Sequence, residues 1–184
     1  MTEERNDRRP HGEILLTEAQ IAGRVGELGA QITADYAGRP PLLVGVLKGA
    51  FVFMADLARA IDLDVEVDFM ALSSYGRSTE TSGVVRILMD LDESVQDRHV
   101  VLVEDIVDTG LTLSYLEDHL ATAGAASVEV CALLVRQGRQ HDASHITYVG
   151  FELPPAFVVG YGLDAGEYGR NLPYVAEHTP THSG

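Results

Sequence analysis

Positive charge is what this sequence has least of. Its 13 lysines and arginines stand against 28 acidic residues, a formal charge of −15 at pH 7. A surface of that sign repels phosphate backbones, so general nucleic-acid binding is disfavoured, and a small anionic ligand needs a locally basic pocket. Lysine is scarcest of all: Lys48 is the only one, every other long cationic side chain being arginine. Cys131 is the only cysteine, which rules out an intramolecular disulfide; its place in the apolar run 128–135 reads as a buried, inert thiol. No apolar stretch is long enough to span a bilayer, and the best, 50–61, is broken by Asp56 and Arg59. The first ten residues are polar and carry no hydrophobic leader, so export is not indicated and a cytoplasmic protein with no membrane partner is expected. No Gly-x-Gly-x-x-Gly follows a strand, which disfavours a dinucleotide enzyme.

What remains is an ordinary globular composition, 184 residues with 46% apolar, enough for one domain with a proper core. Residues 1–12 read as a flexible arm, 13–176 as the domain and 177–184 as a loose tail. Thr17 with Gln20 forms a capping-box pattern that opens a helix running to about Tyr36. Strand 42–47 and helix 50–61 follow, then a strand over 65–72 and a Ser-, Thr- and Gly-rich stretch, 73–83, expected to be a mobile loop. Strand 100–103 ends in Glu104 and Asp105, a helix covers about 111–123, and further strands are expected at 128–135, 146–151 and 157–161. This alternation predicts an α/β fold, a parallel sheet flanked by helices, with ligands at the carboxyl ends of its strands, where the polar clusters fall.

The segment Val-Val-Leu-Val-Glu-Asp-Ile-Val-Asp-Thr-Gly-Leu-Thr, 100–112, carries the chemistry. A buried strand delivers Glu104 and Asp105 to its exposed tip, and Asp108, Thr109, Gly110, Leu111 and Thr112 turn tightly into a helix. Free N–H groups at a helix start, with the Thr109 and Thr112 hydroxyls, make a phosphate cradle, and Gly110 lets the backbone come close to the anion. Adjacent carboxylates suit two vicinal hydroxyls. Cradle and clamp together fit a ribose 5-phosphate. Taken alone, Asp108 would read as an ordinary N-cap.

This segment resembles the phosphoribosyl pyrophosphate signature of the type I phosphoribosyltransferases. The resemblance to the bacterial hypoxanthine-guanine members runs from about residue 14 to 175, through Leu-Lys-Gly-Ala-Phe (47–51), Ser-Ser-Tyr-Gly (73–76), Phe-Val-Val-Gly-Tyr-Gly-Leu-Asp (157–164) and Arg-Asn-Leu-Pro-Tyr (170–174). It implies a central parallel sheet with a small hood region and a mobile active-site loop. It implies that Lys48 and Gly49 form a pyrophosphate loop containing a non-proline cis peptide, that Arg170 completes pyrophosphate binding, and that Ser74 and Tyr75 head the closing loop. Around the base it implies Phe157 stacking on a purine, Val158 offering backbone groups to its edge, and Arg136 and Asp164 beside it. Asp164, with Glu104 and Asp105, is implied as the magnesium (Mg2+) site, and Asp108 as the group that removes the N7 proton. The implied substrates are phosphoribosyl pyrophosphate (PRPP) and hypoxanthine or guanine, and the implied assembly is a homodimer or homotetramer.

Two positions depart from the family pattern. Arg136 stands where the family usually has a lysine that bonds the 6-oxo group. Either it follows the replacement of lysine by arginine along this chain, or it marks a pocket for another base, such as xanthine or a deazapurine. Asp164 is followed by Ala165 and Gly166, where relatives often carry an aromatic. A regulator of the same fold that binds RNA is the rival reading, and the acidic surface speaks against it.

Overall fold

The structure, a computed structural model, describes residues 12–74, 85–108, 110–137 and 146–178. Tyr75, Thr109, nearly all of the expected loop 73–83, and most of the arm and tail lie outside the described residues.

Six strands form the main sheet in the order β4-β3-β2-β5-β6-β7. They are β2 (Leu42–Leu47), β3 (Glu66–Ser74), β4 (Val85–Met89), β5 (His99–Val107), β6 (Ser127–Arg136) and β7 (Ile146–Leu153). All neighbours run parallel except the edge pair β3–β4, which is antiparallel. The expected parallel sheet is therefore present, with one reversed edge strand that the sequence reading did not anticipate. Ser73 and Ser74, read as the start of a loop, extend β3 because they pair with Arg86 and Val85.

Both faces are covered. On one side α1 (Glu18–Asp35) lays Ile21, Val25, Leu28 and Ile32 against α2 (Phe51–Ala60), which buries Phe53, Met54 and Leu57. The expected capping box holds: Gln20 N–H donates to Thr17 Oγ1 at 3.3 Å and Thr17 N–H donates to Gln20 Oε1 at 2.9 Å. On the other side α3 (Leu111–Thr122) packs Leu113, Leu116 and Leu120 on Val100, Leu102 and Val130. Cys131 is fully buried, as expected, and its burial pushes the thiol up to about 12.

Strand 157–161 is corrected. Only β8 (Val158–Val159) is extended, and it joins a separate three-stranded antiparallel sheet, β1-β9-β8, with β1 (Ile14–Leu16) and β9 (Val175–Glu177). This small sheet is the hood. Glu177, read as tail, ends β9, and His178 N–H donates to the Phe157 carbonyl at 2.7 Å.

From β2 the chain moves outward through β3 to β4, then returns to the opposite side of β2 with β5. A crevice at such a reversal of strand order is where open α/β sheets bind ligands. The carboxyl ends of β2, β5 and β6 meet there, setting the loop after Leu47 against Asp105 and Arg136 against Asp108; Ser74 ends β3 beside β4.

Candidate active site

The loop after β2 contains a cis peptide between Leu47 and Lys48, at the position the resemblance implied. Gly49 then lies directly under Asp105: a Cβ at Gly49 would stand 1.6 Å from Asp105 Oδ2. The carboxylate cannot step aside freely, because Ile106 N–H donates to its Oδ1 at 2.8 Å. From the other side Gly162, at φ 102°, abuts the Gly49 carbonyl, which a Cβ there would approach to 2.1 Å. No residue with a side chain meets these two requirements without moving backbone or carboxylate.

The Gly162 segment is fixed in turn. Tyr161 O–H donates to Asp56 Oδ2 on α2 at 2.7 Å, Arg170 donates through NH1 to the Gly162 carbonyl at 2.8 Å, and Gly162 N–H donates to the Arg170 carbonyl at 2.9 Å. Arg170 also reaches Asp164 Oδ1 at 2.7 Å and Glu167 Oε2 at 3.4 Å, while Lys48 Nζ reaches Glu167 Oε2 at 3.0 Å. Lys48, Arg170 and Asp164, far apart in sequence, thus share one network, and Glu167 ties it together. Sequence reasoning passed over Glu167. The signal was available: a carboxylate three residues from both Asp164 and Arg170 in a glycine-rich turn.

Glu104 corrects an expectation. β5 continues past the acidic pair to Val107, and Glu104 is only 7% exposed rather than at an open tip. Burial first, and then the charge of Asp105, push its carboxyl well above the usual 4.5. Asp105 is raised as well, chiefly by burial; hydrogen bonds from its own and Ile106's N–H and the Arg170 charge oppose this, while the Asp164 charge adds to it. Asp105, Asp164 and Arg170 are therefore within electrostatic reach of one another.

The helix α3 starts at Leu111, as expected, and its N-cap is Gly110, in the left-handed region at φ 74°. Its first internal hydrogen bond runs from Ser114 N–H to the Gly110 carbonyl, 2.9 Å, so the N–H groups of Leu111, Thr112 and Leu113 have no partner within the helix. Leu111 and Thr112 are exposed at this end, which suits an anion.

Asp108 faces Arg136: Oδ1 and Nε are 3.8 Å apart. Arg136 donates through NH1 to the Ala156 carbonyl at 2.7 Å, which places it between Asp108 and the aromatic that follows. Phe157 is 56% exposed, with the His178 ring edge-on at 5.3 Å between centroids, whereas Val158 is buried in β8.

Metal binding has a clear limit. Among the described residues no group of three or more His, Cys, Asp or Glu side chains converges on one point. A hard cation that takes one or two carboxylates and draws its other oxygens from substrate and water still fits Asp164 and Asp105.

The acidic pair and open helix start at the reversal of a parallel sheet have the layout of a phosphoribosyltransferase. Residues 11–165 match the phosphoribosyl transferase domain family. The chain is 50% identical over 168 residues to the hypoxanthine-guanine phosphoribosyltransferase of Bacillus subtilis, covering 91% of this chain and 93% of that one. To the enzyme of the same name from Mycobacterium tuberculosis it is 50% identical over 173 residues, covering 91% and 86%. The crystal structure of a hypoxanthine phosphoribosyltransferase from Staphylococcus aureus superposes with a TM-score of 0.87 at 43% identity, over 94% of each chain. The chain belongs to the hypoxanthine-guanine phosphoribosyltransferase family.

Proposed function

We propose that this chain joins hypoxanthine or guanine to PRPP, giving IMP or GMP and pyrophosphate. The observation that carries the reading is the meeting of the 47–49 loop, the Glu104–Asp105 pair, Asp108 and the start of α3 at one sheet reversal. Lys48, the backbone of Gly49, and Arg170 hold the pyrophosphate. The N–H groups of Gly110, Leu111 and Thr112, with the Thr109 and Thr112 hydroxyls, hold the 5′-phosphate, and Glu104 and Asp105 hold the ribose hydroxyls. Phe157 supplies a stacking face, Val158 and Arg136 address the base edge, and Asp164 bounds that side of the pocket. Ser74 and Tyr75 belong to the segment that shields the sugar from water during turnover. Asp164 and Asp105 would hold Mg2+, which when bound supplies charge neutralisation for the leaving pyrophosphate, while Glu104, implied as a third ligand, does not converge with them.

The bond between N9 of the base and the anomeric carbon forms as the bond from that carbon to pyrophosphate breaks. Asp108 takes the N7 proton as this happens, so the base ends neutral and pyrophosphate leaves with its electron pair. A magnesium-containing assay with PRPP and hypoxanthine, guanine, xanthine, adenine and 7-deazaguanine tests this: pyrophosphate release with the first two bases is expected, and none with any base would refute it.

Two variants follow. Gly49→Ala drives a methyl into the Asp105 carboxylate, and misplacing such a group by an ångström costs about a hundredfold. A fall of that size in kcat/KM is expected together with a lower Tm, overpacking costing about 1–3 kcal/mol, and full activity at the parent's Tm would show that Asp105 moves freely. Arg136→Lys replaces a planar fork that spans Asp108 and the Ala156 carbonyl with a single ammonium. About a tenfold loss in kcat/KM, mostly as KM for the base, is expected from one lost charge-assisted contact. An unchanged KM for hypoxanthine, together with turnover of a deazapurine by the parent enzyme, would instead make Arg136 the determinant of a different base.

A homodimer or homotetramer accompanies this reading. Exposed Phe51, Leu88 and Met89 are apolar side chains that a second copy would cover, and light scattering on the purified chain reads the assembly directly. A cytoplasmic location fits a chain in which no described helix is long and apolar enough to cross a membrane.

A further inference from the structure

The turn between Asp164 and Arg170 holds Glu167 at φ 71°, and this places one carboxylate oxygen against both cations of the network. Lys48 Nζ is 3.0 Å from Oε2 and Arg170 NH2 is 3.4 Å from the same atom. Glu167 N–H donates to Asp164 Oδ2 at 2.8 Å, and Arg170 bonds the other Asp164 oxygen at 2.7 Å. Two cations and two carboxylates balance. The Lys48 and Glu167 side chains are 68% and 65% exposed, so water reaches the pair and its partners exchange at little cost. The hydrogen bond from Lys48, followed by the Lys48 charge, lowers the Glu167 carboxyl below its usual range, so it is an anion at neutral pH.

We propose that Glu167 is a built-in counter-anion that holds Lys48 and Arg170 in the resting enzyme, yields them to the incoming diphosphate, and competes for them again as pyrophosphate leaves. The inference rests on the assignment of Lys48 and Arg170 to pyrophosphate made above. A diphosphate offers several charged oxygens where Glu167 offers one, so it wins both cations, but its affinity is reduced by the carboxylate it must displace. Glu167 thereby sets how tightly substrate diphosphate and product pyrophosphate are held, without touching the sugar or the base.

The test is calorimetric titration of inorganic pyrophosphate, in magnesium buffer, into the full-length enzyme and its Glu167→Gln variant. Glutamine keeps the size and the backbone N–H bond to Asp164 while removing the charge. Pyrophosphate is expected to bind the variant about three- to tenfold tighter, with a matching fall in KM for PRPP and no rise in kcat. Because Lys48 is the only lysine, an amine-reactive reagent followed by mass spectrometry reads its side chain alone; it should react faster in the variant and be protected by pyrophosphate in both proteins. Unchanged or weaker pyrophosphate binding in a variant of native Tm overturns the proposal, since Glu167 would then be orienting the cations rather than competing for them. Should the glutamine variant lose stability, Glu167→Gly suits the positive φ and carries the same expectation. Failure of pyrophosphate to bind or to protect Lys48 in the parent enzyme would remove the underlying assignment instead.

Discussion

With asparagine at position 108, turnover is expected to fall at least about a hundredfold while both substrates still bind. General-base catalysis by a positioned side chain contributes about 10²- to 10⁴-fold, and an amide has no site basic enough to accept the N7 proton. Asparagine keeps the shape of Asp108 and its approach to Arg136 Nε, which stands 3.8 Å from Oδ1. The N-cap residue of α3 is Gly110, and an asparagine at 108 accepts hydrogen bonds through its amide oxygen as the carboxylate does, so Tm should hardly move. The loss should therefore lie in kcat, with KM for base and for PRPP changed far less, the pattern of an interaction made only in the transition state. A second probe needs no mutation: 7-deazahypoxanthine has carbon where N7 stands, so Asp108 has no proton to take there, and it should bind and inhibit without being consumed. Steady-state kinetics on the variant and inhibition by the deaza base check both arms. A variant within about threefold of the parent would mean that the proton leaves by another route and that Asp108 serves Arg136 instead.

Much of this site was legible because its parts are contiguous in sequence. Residues 100–112 carry strand, acidic pair, turn and helix start in one run, and the pattern that buries Val100 to Val103 also dictates where the strand delivers its polar end. Helices α1, α2 and α3 were legible from apolar spacing, and the Thr17–Gln20 cap from its own spacing, because these signals are local. What was not legible depends on residues distant in the chain. β8 and β9 are too short for a periodic signal and exist only because they pair with each other and with β1. The reversed strand β4 follows a stretch without apolar alternation. The depth of Glu104 depends on how far β5 continues beside β6, through the pairs Ile106 with Leu134 and Val107 with Val135. Glu167 gains its meaning only when the turn at 164–170 folds back on Lys48, 119 positions away.

The buried acid at 104 gives the second large effect, with opposite signs for stability and activity. Glu104→Gln should raise stability at neutral and higher pH while lowering kcat/KM for PRPP by about tenfold or more, the usual cost of a lost hydrogen bond to a charged acceptor. Burial and the neighbouring Asp105 charge raise the carboxyl well above 4.5 in the folded chain, whereas the unfolded chain titrates near its ordinary value. Well below that value Glu104 is protonated in both states, its contribution to stability is fully present, and parent and variant should melt alike. As pH rises, the unfolded chain gives up the proton first while the folded chain still binds it, so the parent loses stability with each step of pH. The loss ends once pH has passed through the folded value, where the parent carries a buried charge that glutamine lacks. The Tm difference in favour of Glu104→Gln should therefore be near zero at about pH 4 and grow toward about pH 8. A gain of about 2–4 °C corresponds to ~1 kcal/mol in a chain of this length. Asp105, raised in the same direction, adds a dependence of the same sign to both proteins and leaves the difference to Glu104. Melts across that pH range, with PRPP kinetics on the same samples, make the check. A variant that melts below the parent at about pH 8, or a gap that closes as pH rises, would mean that the folded enzyme stabilises the Glu104 carboxylate. The opposite result would show that the ribose clamp is held at a standing cost to the fold, the expected condition of an ionisable group buried for chemistry rather than for packing.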